Sequence, residues 1–308
     1  MSPRSSFHAS PYLLLTLTSF FWSLNWVIGR AMVGHVTPLT LTFIRWVVAV
    51  AVMMPFAYPQ IRAHWPAIRR HWKTLVWLGF WGTGLHNLFA YVGLQYTTAT
   101  NGVILNSSIP IMIIVFGWLV YRDTITRVQA FGVAVSIAGI LAIITRGDLG
   151  VLAELSLNKG DLIILIGMVF WAAYTVFLRM KPAEIPGLAM LACCGCVGIT
   201  LLAPLAAIEI AYFGGHAEFT PATIAAMLYV GVFPSFVGYI FWNRGVAEVG
   251  AQVAGIFLHL MPAFAALLAW FFLGERVYLF HIVGIALILA GIALTTRGAR
   301  AVPEPGPE

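Results

Sequence analysis

Arg45 is the one charged side chain well inside an apolar run of this chain, about eight residues from the end of the run 37–59 and so roughly 12 Å deep at about 1.5 Å per residue. A charge at that depth marks a functional site by default. Three readings stay open for it: it could hold a solute carboxylate, satisfy backbone carbonyls, or reach outward to the polar boundary. Polar and aromatic side chains recur in the other apolar runs. Asn87 and Tyr91 share a helical face in 73–93, with Gln95 beyond them and His86 beside them. Tyr239 and Asn243 repeat that spacing in 222–244, with Trp242 adjacent. Trp22 and Trp26 flank Asn25 in 11–33, and Trp171, Tyr174 and Thr175 stand in 160–180. Asn101 and Ser108 share a face in 98–120, as do Gln252 and His259 in 250–273. Such a set could hold an apolar or aromatic body by stacking while amides meet its polar ends. For any single residue, interfacial aromatic belts and interhelical amide bonds are the plainer account. The clustering argues for a pathway.

The chemistry that is missing narrows the class. No HExxH, P-loop, GxSxG or pair of acids falls inside an apolar run, so the chain does not read as an enzyme, and neither a cofactor nor a metal is expected. Cys193, Cys194 and Cys196 sit together in an apolar run, where neither a disulfide framework nor a redox centre is expected. Asp161, Glu209 and the other acids lie in loops, in the tail or near the ends of runs, leaving no carboxylate at mid-depth for a coupling ion. His86 and His259 are the reserve proton carriers.

The elements that must position these residues follow from composition. Of 308 residues, 61% are hydrophobic and 9% charged, which excludes an ordinary soluble domain. Runs of about 20 apolar residues are the length a membrane-crossing helix needs, and far too long for barrel strands. The expectation is an all-α integral membrane protein with ten spans, at 11–33, 37–59, 73–93, 98–120, 126–145, 160–180, 186–210, 222–244, 250–273 and 278–296. The net charge of +6 sits in short segments between runs, so it reads as a topology signal and not as a nucleic-acid surface.

The chain is also written twice. A shift of 152 positions lays Gly79 on Gly231, Gly93 on Gly245, Pro110 on Pro262, Gly132 on Gly284 and Gly139 on Gly291, with Asp123 on Glu275. A shift of 149 lays Phe21-Trp22 on Phe170-Trp171 and Arg30 on Arg179. The units are 1–147 and 160–298, with a linker at 148–159 and a disordered tail at 299–308. Five spans per unit is odd, so the second unit must enter the membrane inverted, as in many secondary transporters. With both termini cytoplasmic, 12 of the 17 Lys and Arg fall on the inner side, against four outside. Paired glycines in spans 5 and 10 suit close packing. Pro110 and Pro262 remove amide donors in mid-span, and Pro234 falls opposite Gly82, so all three prolines read as static bends or as hinges.

The run Leu260-Met-Pro-Ala-Phe-Ala-Ala-Leu-Leu-Ala-Trp-Phe-Phe-Leu-Gly-Glu-Arg276, followed by Gly284-Ile-Ala-Leu-Ile-Leu-Ala-Gly-Ile-Ala-Leu294, resembles the end of an EamA repeat of the drug/metabolite transporter superfamily. The first copy departs from it, with Tyr121-Arg122-Asp123 where the second has Leu273-Gly274-Glu275. The resemblance implies ten helices in two inverted repeats. Within the family, the length, aromatic first span and Trp-rich third span look most similar to amino-acid exporters of the YddG type. The expectation is an inner-membrane exporter of small organic solutes, amino acids including aromatic ones, acting by facilitated alternating access as a monomer or homodimer. The rivals are an exchanger of nucleotide sugars or sugar phosphates from the same superfamily and, from a different class, a membrane-embedded enzyme.

Overall fold

In the computed structural model, residues 9–145, 158–273 and 278–300 are described, and they are helical nearly throughout. The linker expected at 148–159, up to residue 157, lies outside the described residues, as do Glu275 and the tail from 301. Helix α1 runs Pro11–Ala31, α2 Pro38–Ala63 and the short α3 Trp65–Arg70. α4 (Trp72–Gly79) continues through a π-helical segment, Phe80–Leu85, into α5 (His86–Gly93). α6 (Ala99–Asn106), α7 (Ile109–Tyr121) and α8 (Arg127–Ile144) complete the first half. The second half comprises α9 (Lys159–Phe177), α10 (Gly187–Tyr212), α11 (Pro221–Val230), a π-helical segment Gly231–Val237 and α12 (Gly238–Val249). It ends with α13 (Ala251–Ile256), a 3₁₀ turn Phe257–His259, α14 (Leu260–Leu273) and α15 (Leu279–Arg300).

Local sequence accounts for many of the ends. Thr126 and Gln129 close a capping box on α8, and Asn158 and Asp161 close another on α9. Arg122 ends α7 in the left-handed region at φ 58°, and Gly250 separates α12 from α13 at φ 82°.

Among the described residues, eight helical stretches are long and apolar enough to cross a membrane, including Pro11–Ala31, Asn101–Tyr121 and Pro221–Val249. Of the ten expected runs, 73–93 is the interrupted α4–π–α5 stretch, and 126–145 is represented by the shorter apolar helix Arg127–Ile143. Other runs are not continuous α-helices either, and 222–244 contains the π-helical segment Gly231–Val237. The run 98–120 breaks at Ser107-Ser108, and 250–273 passes through the 3₁₀ turn. Pro110 therefore occupies the first turn of α7, where a backbone amide has no partner within the helix, and Pro262 is in the first turn of α14. Each proline follows a break; neither bends an uninterrupted helix. Pro234 and Gly82 both lie in π-helical segments, where the widened turn accommodates a residue that disrupts i→i−4 bonding.

Small residues set the closest approaches. α8 packs along α15, where a Cβ on Gly132 would lie 2.8 Å from the Gly291 carbonyl oxygen and one on Gly139 2.6 Å from that of Gly284. A Cβ on Gly79 would lie 2.8 Å from Val197 and one on Gly231 2.5 Å from Val48; one on Gly93 would lie 2.4 Å from Ile164 and one on Gly245 2.5 Å from Leu15. The centre is aromatic and polar, with Trp46, Trp171, Trp242, Arg45, Tyr174 and Tyr239 fully buried. Phe56, Phe131, Ile282 and Leu289 are instead exposed on the outside. Apolar groups facing outward around a polar centre invert the soluble pattern and suit a hydrocarbon surround.

At one end, the α1–α2 and α10–α11 loops are joined by an antiparallel bridge between Val36 and Ala217. His35 pairs with Glu218 at 2.6 Å. Glu209, at the end of α10, accepts from the Thr40 amide at 2.9 Å, the Leu39 amide at 3.2 Å and the Thr37 hydroxyl at 2.6 Å, capping α2 with a negative charge. The His216 ring nitrogens face two carbonyls, Gly34 and Gly214, each at 3.2 Å. Carbonyls only accept, so both bonds form together in the imidazolium. The Gly34 and Gly214 carbonyls, aided by Glu218 and Glu209 and opposed by slight desolvation, raise the His216 pKa above its ordinary value. A raised folded-state pKa contributes stability fully present below the ordinary histidine range and lost as pH rises through the raised value. The Thr37 amide donates to the His216 carbonyl at 3.0 Å. Its protection against hydrogen exchange, corrected for intrinsic rate, is expected to fall across that window, and His216→Ala to flatten the fall.

Candidate functional site

Helix α1 sends Trp22, Asn25 and Trp26 to a central cavity, α2 sends Arg45, and α5 sends His86, Asn87 and Ala90. Asn106 of α6, Trp171 of α9, Tyr239 of α12 and Met261 of α14 complete the lining. The breaks found in the fold are what bring these groups together: Asn106 is the last residue of α6 and Met261 follows the 3₁₀ turn. The cavity volume is about 30 Å³, enough for water but not for an amino acid.

The aromatic wall is continuous. Trp22 meets Trp171 edge-on with centroids 4.8 Å apart and Trp242 at 5.2 Å; Tyr239 meets Trp171 at 5.1 Å and Trp46 at 5.1 Å. Trp22 Nε1 donates to the Pro234 carbonyl at 2.8 Å, which ties the wall to the π-helical segment.

Polar groups occupy the remaining wall. Arg45, 1% exposed, donates through Nε to Ser235 Oγ and through Nη1 to Tyr91 Oη at 2.9 Å and Asn25 Oδ1 at 3.3 Å. Tyr91 in turn donates to Asn25 Oδ1 at 2.9 Å. Asn87 donates to Tyr239 Oη at 3.2 Å, and Tyr239 donates to the Gly82 carbonyl at 2.7 Å. His86 Nδ1 faces the Gly167 carbonyl at 2.8 Å, so Nδ1 carries the proton and the neutral ring keeps Nε2 as an acceptor.

Of the residues singled out in the sequence, Trp22, Asn25, Trp26, Arg45, His86, Asn87, Trp171 and Tyr239 converge on the cavity. Tyr91, Tyr174, Trp242 and Asn243 stand directly behind them, with Tyr174 donating to Asn243 Oδ1 at 2.9 Å and Trp242 Nε1 to Thr175 Oγ1 at 3.3 Å. Four others lie apart from the cavity. Asn101 bonds Thr97 Oγ1 at 3.1 Å and reaches Asp161, and Ser108 caps the Leu105 carbonyl at 2.6 Å. Gln252 faces a separate depression with Asp123 and Arg179. His259, fully buried, has Nδ1 on Ser136 Oγ at 2.7 Å and Nε2 on the Ser107 carbonyl at 3.1 Å, so one ring nitrogen joins the two helix breaks and the other ties them to α8. Sequence reasoning missed Ala90, Asn106, Met261, Trp46 and Ser235. The polar Asn106 and Ser235, each within four residues of a proline, carried a signal that went unused.

A polar and aromatic chamber among apolar helices is the build of a polytopic membrane transporter. The chain belongs to the EamA-like transporter family, whose model matches residues 9–145 and 158–297. It is similar to the uncharacterized transporter YyaM of Bacillus subtilis (strain 168), 26% identical over 301 residues covering 96% of each chain. An uncharacterized transporter of Archaeoglobus fulgidus is 27% identical over 289 residues, 94% of this chain and 98% of that one. A probable terminal-alkyne amino-acid exporter of Streptantibioticus cattleyicolor is 25% identical over 219 residues, 71% of each. A solved crystal structure shares the fold with a TM-score of 0.76 at 18% identity, covering 97% of this chain and 99% of that one. The chain is a multi-pass membrane transporter and not an enzyme.

Proposed function

We propose that this transporter exports small organic solutes, foremost amino acids including aromatic ones, by alternating access across the inner membrane. The observation that carries the reading is the central chamber, where Trp22, Trp171 and Tyr239 offer an apolar wall beside Arg45, Asn25 and Asn87. An aromatic amino acid has the matching division into a ring and a polar end. The relative named as a probable amino-acid exporter adds support for the solute class.

The mechanism rests on ten spans in two five-helix units, 1–147 and 160–298, inserted in opposite senses with both termini cytoplasmic. Supporting this are contacts that recur at matched positions, such as Gly79 on Val197 and Gly231 on Val48. The bond Tyr91 to Asn25 also has a counterpart, Tyr174 to Asn243, with tyrosine and amide exchanged between the matched helices. The π-helical segments at Gly82 and Pro234, and the breaks before Pro110 and Pro262, serve as the flexing points. The solute and the bilayer are the partners, and the working unit is a monomer or homodimer.

Transport is facilitated. Among the described residues no carboxylate lines the chamber, and the buried Asp161 and Glu209 are held by hydroxyls and helix amides. An exchanger of phosphorylated solutes would call for several buried cations, whereas Arg45 is the only buried Lys or Arg among the described residues. Counterflow of radiolabelled amino acids in proteoliposomes tests the reading. Saturable exchange that survives a protonophore is expected; no exchange with any amino acid contradicts the function, and collapse with the protonophore contradicts the facilitated mode.

A further inference from the structure

Arg45 brings a full positive charge to the middle of the bundle without a counter-charge. Its bonded partners, Asn25, Tyr91 and Ser235, are neutral oxygens, and the ion pairs among the described residues all involve other cations. Nη2 has no hydrogen-bond partner among the described residues, although the guanidinium lines the chamber. Neutral oxygens orient a guanidinium but do not cancel its charge. A buried, uncompensated cation is costly unless an anion pairs with it in part of the cycle.

We infer that Arg45 is the anchor for a carboxylate on the transported solute, which restricts the substrate class to organic acids and zwitterions and excludes simple amines. A carboxylate suits the planar fork, taking one bond from the free Nη2 and competing with Asn25 and Tyr91 for Nη1. Asn25, Tyr91 and Ser235 belong to α1, α5 and the π-helical segment respectively, so an arriving carboxylate draws on the contacts by which Arg45 ties α2 to three other elements. His86, which lines the same chamber, offers Nε2 as an acceptor for an ammonium group, and Trp22 and Trp171 line it for the side chain. Ser235 Oγ also donates to the Val230 carbonyl at 2.5 Å, which places the guanidinium one hydrogen bond from the backbone of the widened turn.

This inference rests on the exporter reading, and the experiment separates the two. Binding of L-phenylalanine, 3-phenylpropionate and phenethylamine to the purified full-length protein is measured by thermal shift and by inhibition of counterflow. The two acids are expected to bind and the amine to bind at least about tenfold more weakly, the loss typical of one charge-assisted contact. Arg45→Gln is expected to bring the acids down to the level of the amine, and Arg45→Lys to retain part of their binding. If Arg45→Gln does not fold, Arg45→Lys together with the wild-type ranking of the three probes still decides. Equal binding of amine and acids, absence of binding by both acids, or unaltered acid binding in either variant overturns the anchor. Exchange of other amino acids by the same preparation would then leave the exporter reading standing; its failure with every amino acid would defeat that reading itself.

Discussion

Gly291→Leu is expected to yield no monodisperse protein, whereas Gly187→Leu behaves as wild type. A Cβ at Gly291 would lie 2.5 Å from the Gly132 carbonyl oxygen and 2.6 Å from Ser136 Cβ, while one at Gly187 meets nothing within 4 Å. The first contact is with backbone, so no rotamer change relieves it, and α8 and α15 must separate. Within lipid, close backbone approach supplies much of what holds helices together, since burial of apolar surface against a neighbour gains little over burial in hydrocarbon. Overpacking alone costs about 1–3 kcal/mol in well-packed cores. Here the separation also disturbs Ser136, which holds the His259 bridge between the two helix breaks. Fluorescence-detected size exclusion and a melting curve of the two variants check the expectation, with Gly291→Ala intermediate.

Trp171→Ala is expected to weaken apparent affinity for aromatic amino acids by about tenfold or more, equivalent to about 1.4 kcal/mol, with a smaller effect on alanine or serine. Trp171 is 2% exposed and meets Trp22, Trp242, Tyr239, Tyr174 and His86. Its removal deletes the centre of the aromatic wall without touching the Arg45 network. A loss that falls on ring-bearing solutes separates a binding role from general destabilisation, which would lower transport of all solutes alike. Trp171→Phe is expected to recover part of the affinity, because a ring remains for edge-on contact. Competition curves in counterflow give both numbers.

Much of the helical architecture was legible because long apolar runs and Gly-Pro-charge punctuation are coarse signals. The matched glycines carried packing information, since Gly79, Gly93, Gly132 and Gly139 and their counterparts Gly231, Gly245, Gly284 and Gly291 all stand at close approaches. The helix breaks were less legible. Pro110 and Pro262 announced an irregularity, but its place depends on Ser107, Ser108 and His259 finding partners on other helices, which one-dimensional spacing does not carry. Asn101 and Asn106 lie five residues apart on α6 and so on different faces, which is why Asn106 reaches the chamber while Asn101 bonds Thr97; Gln252, at the start of α13, faces a different depression. On the regular helices α1 and α5, Trp22, Asn25, Trp26, His86 and Asn87 line the chamber, whereas Tyr91 stands behind it and Gln95 lies beyond the end of α5. Arg45 stood out as a lone charge, and three-dimensional placement added what spacing could not, namely that only neutral oxygens bond it.

The most direct test of a solute path through this chamber is side-specific labelling of a cysteine placed at Ala90, which lines it and is 6% exposed, in a protein with Cys193, Cys194 and Cys196 replaced by Ala. With a membrane-impermeant methanethiosulfonate, Ala90→Cys is expected to react from the cytoplasmic face and from the opposite face in separate experiments, and to be protected from both by a transported amino acid. Reaction from one face only, or labelling from both that no amino acid slows, would contradict alternating access through the chamber.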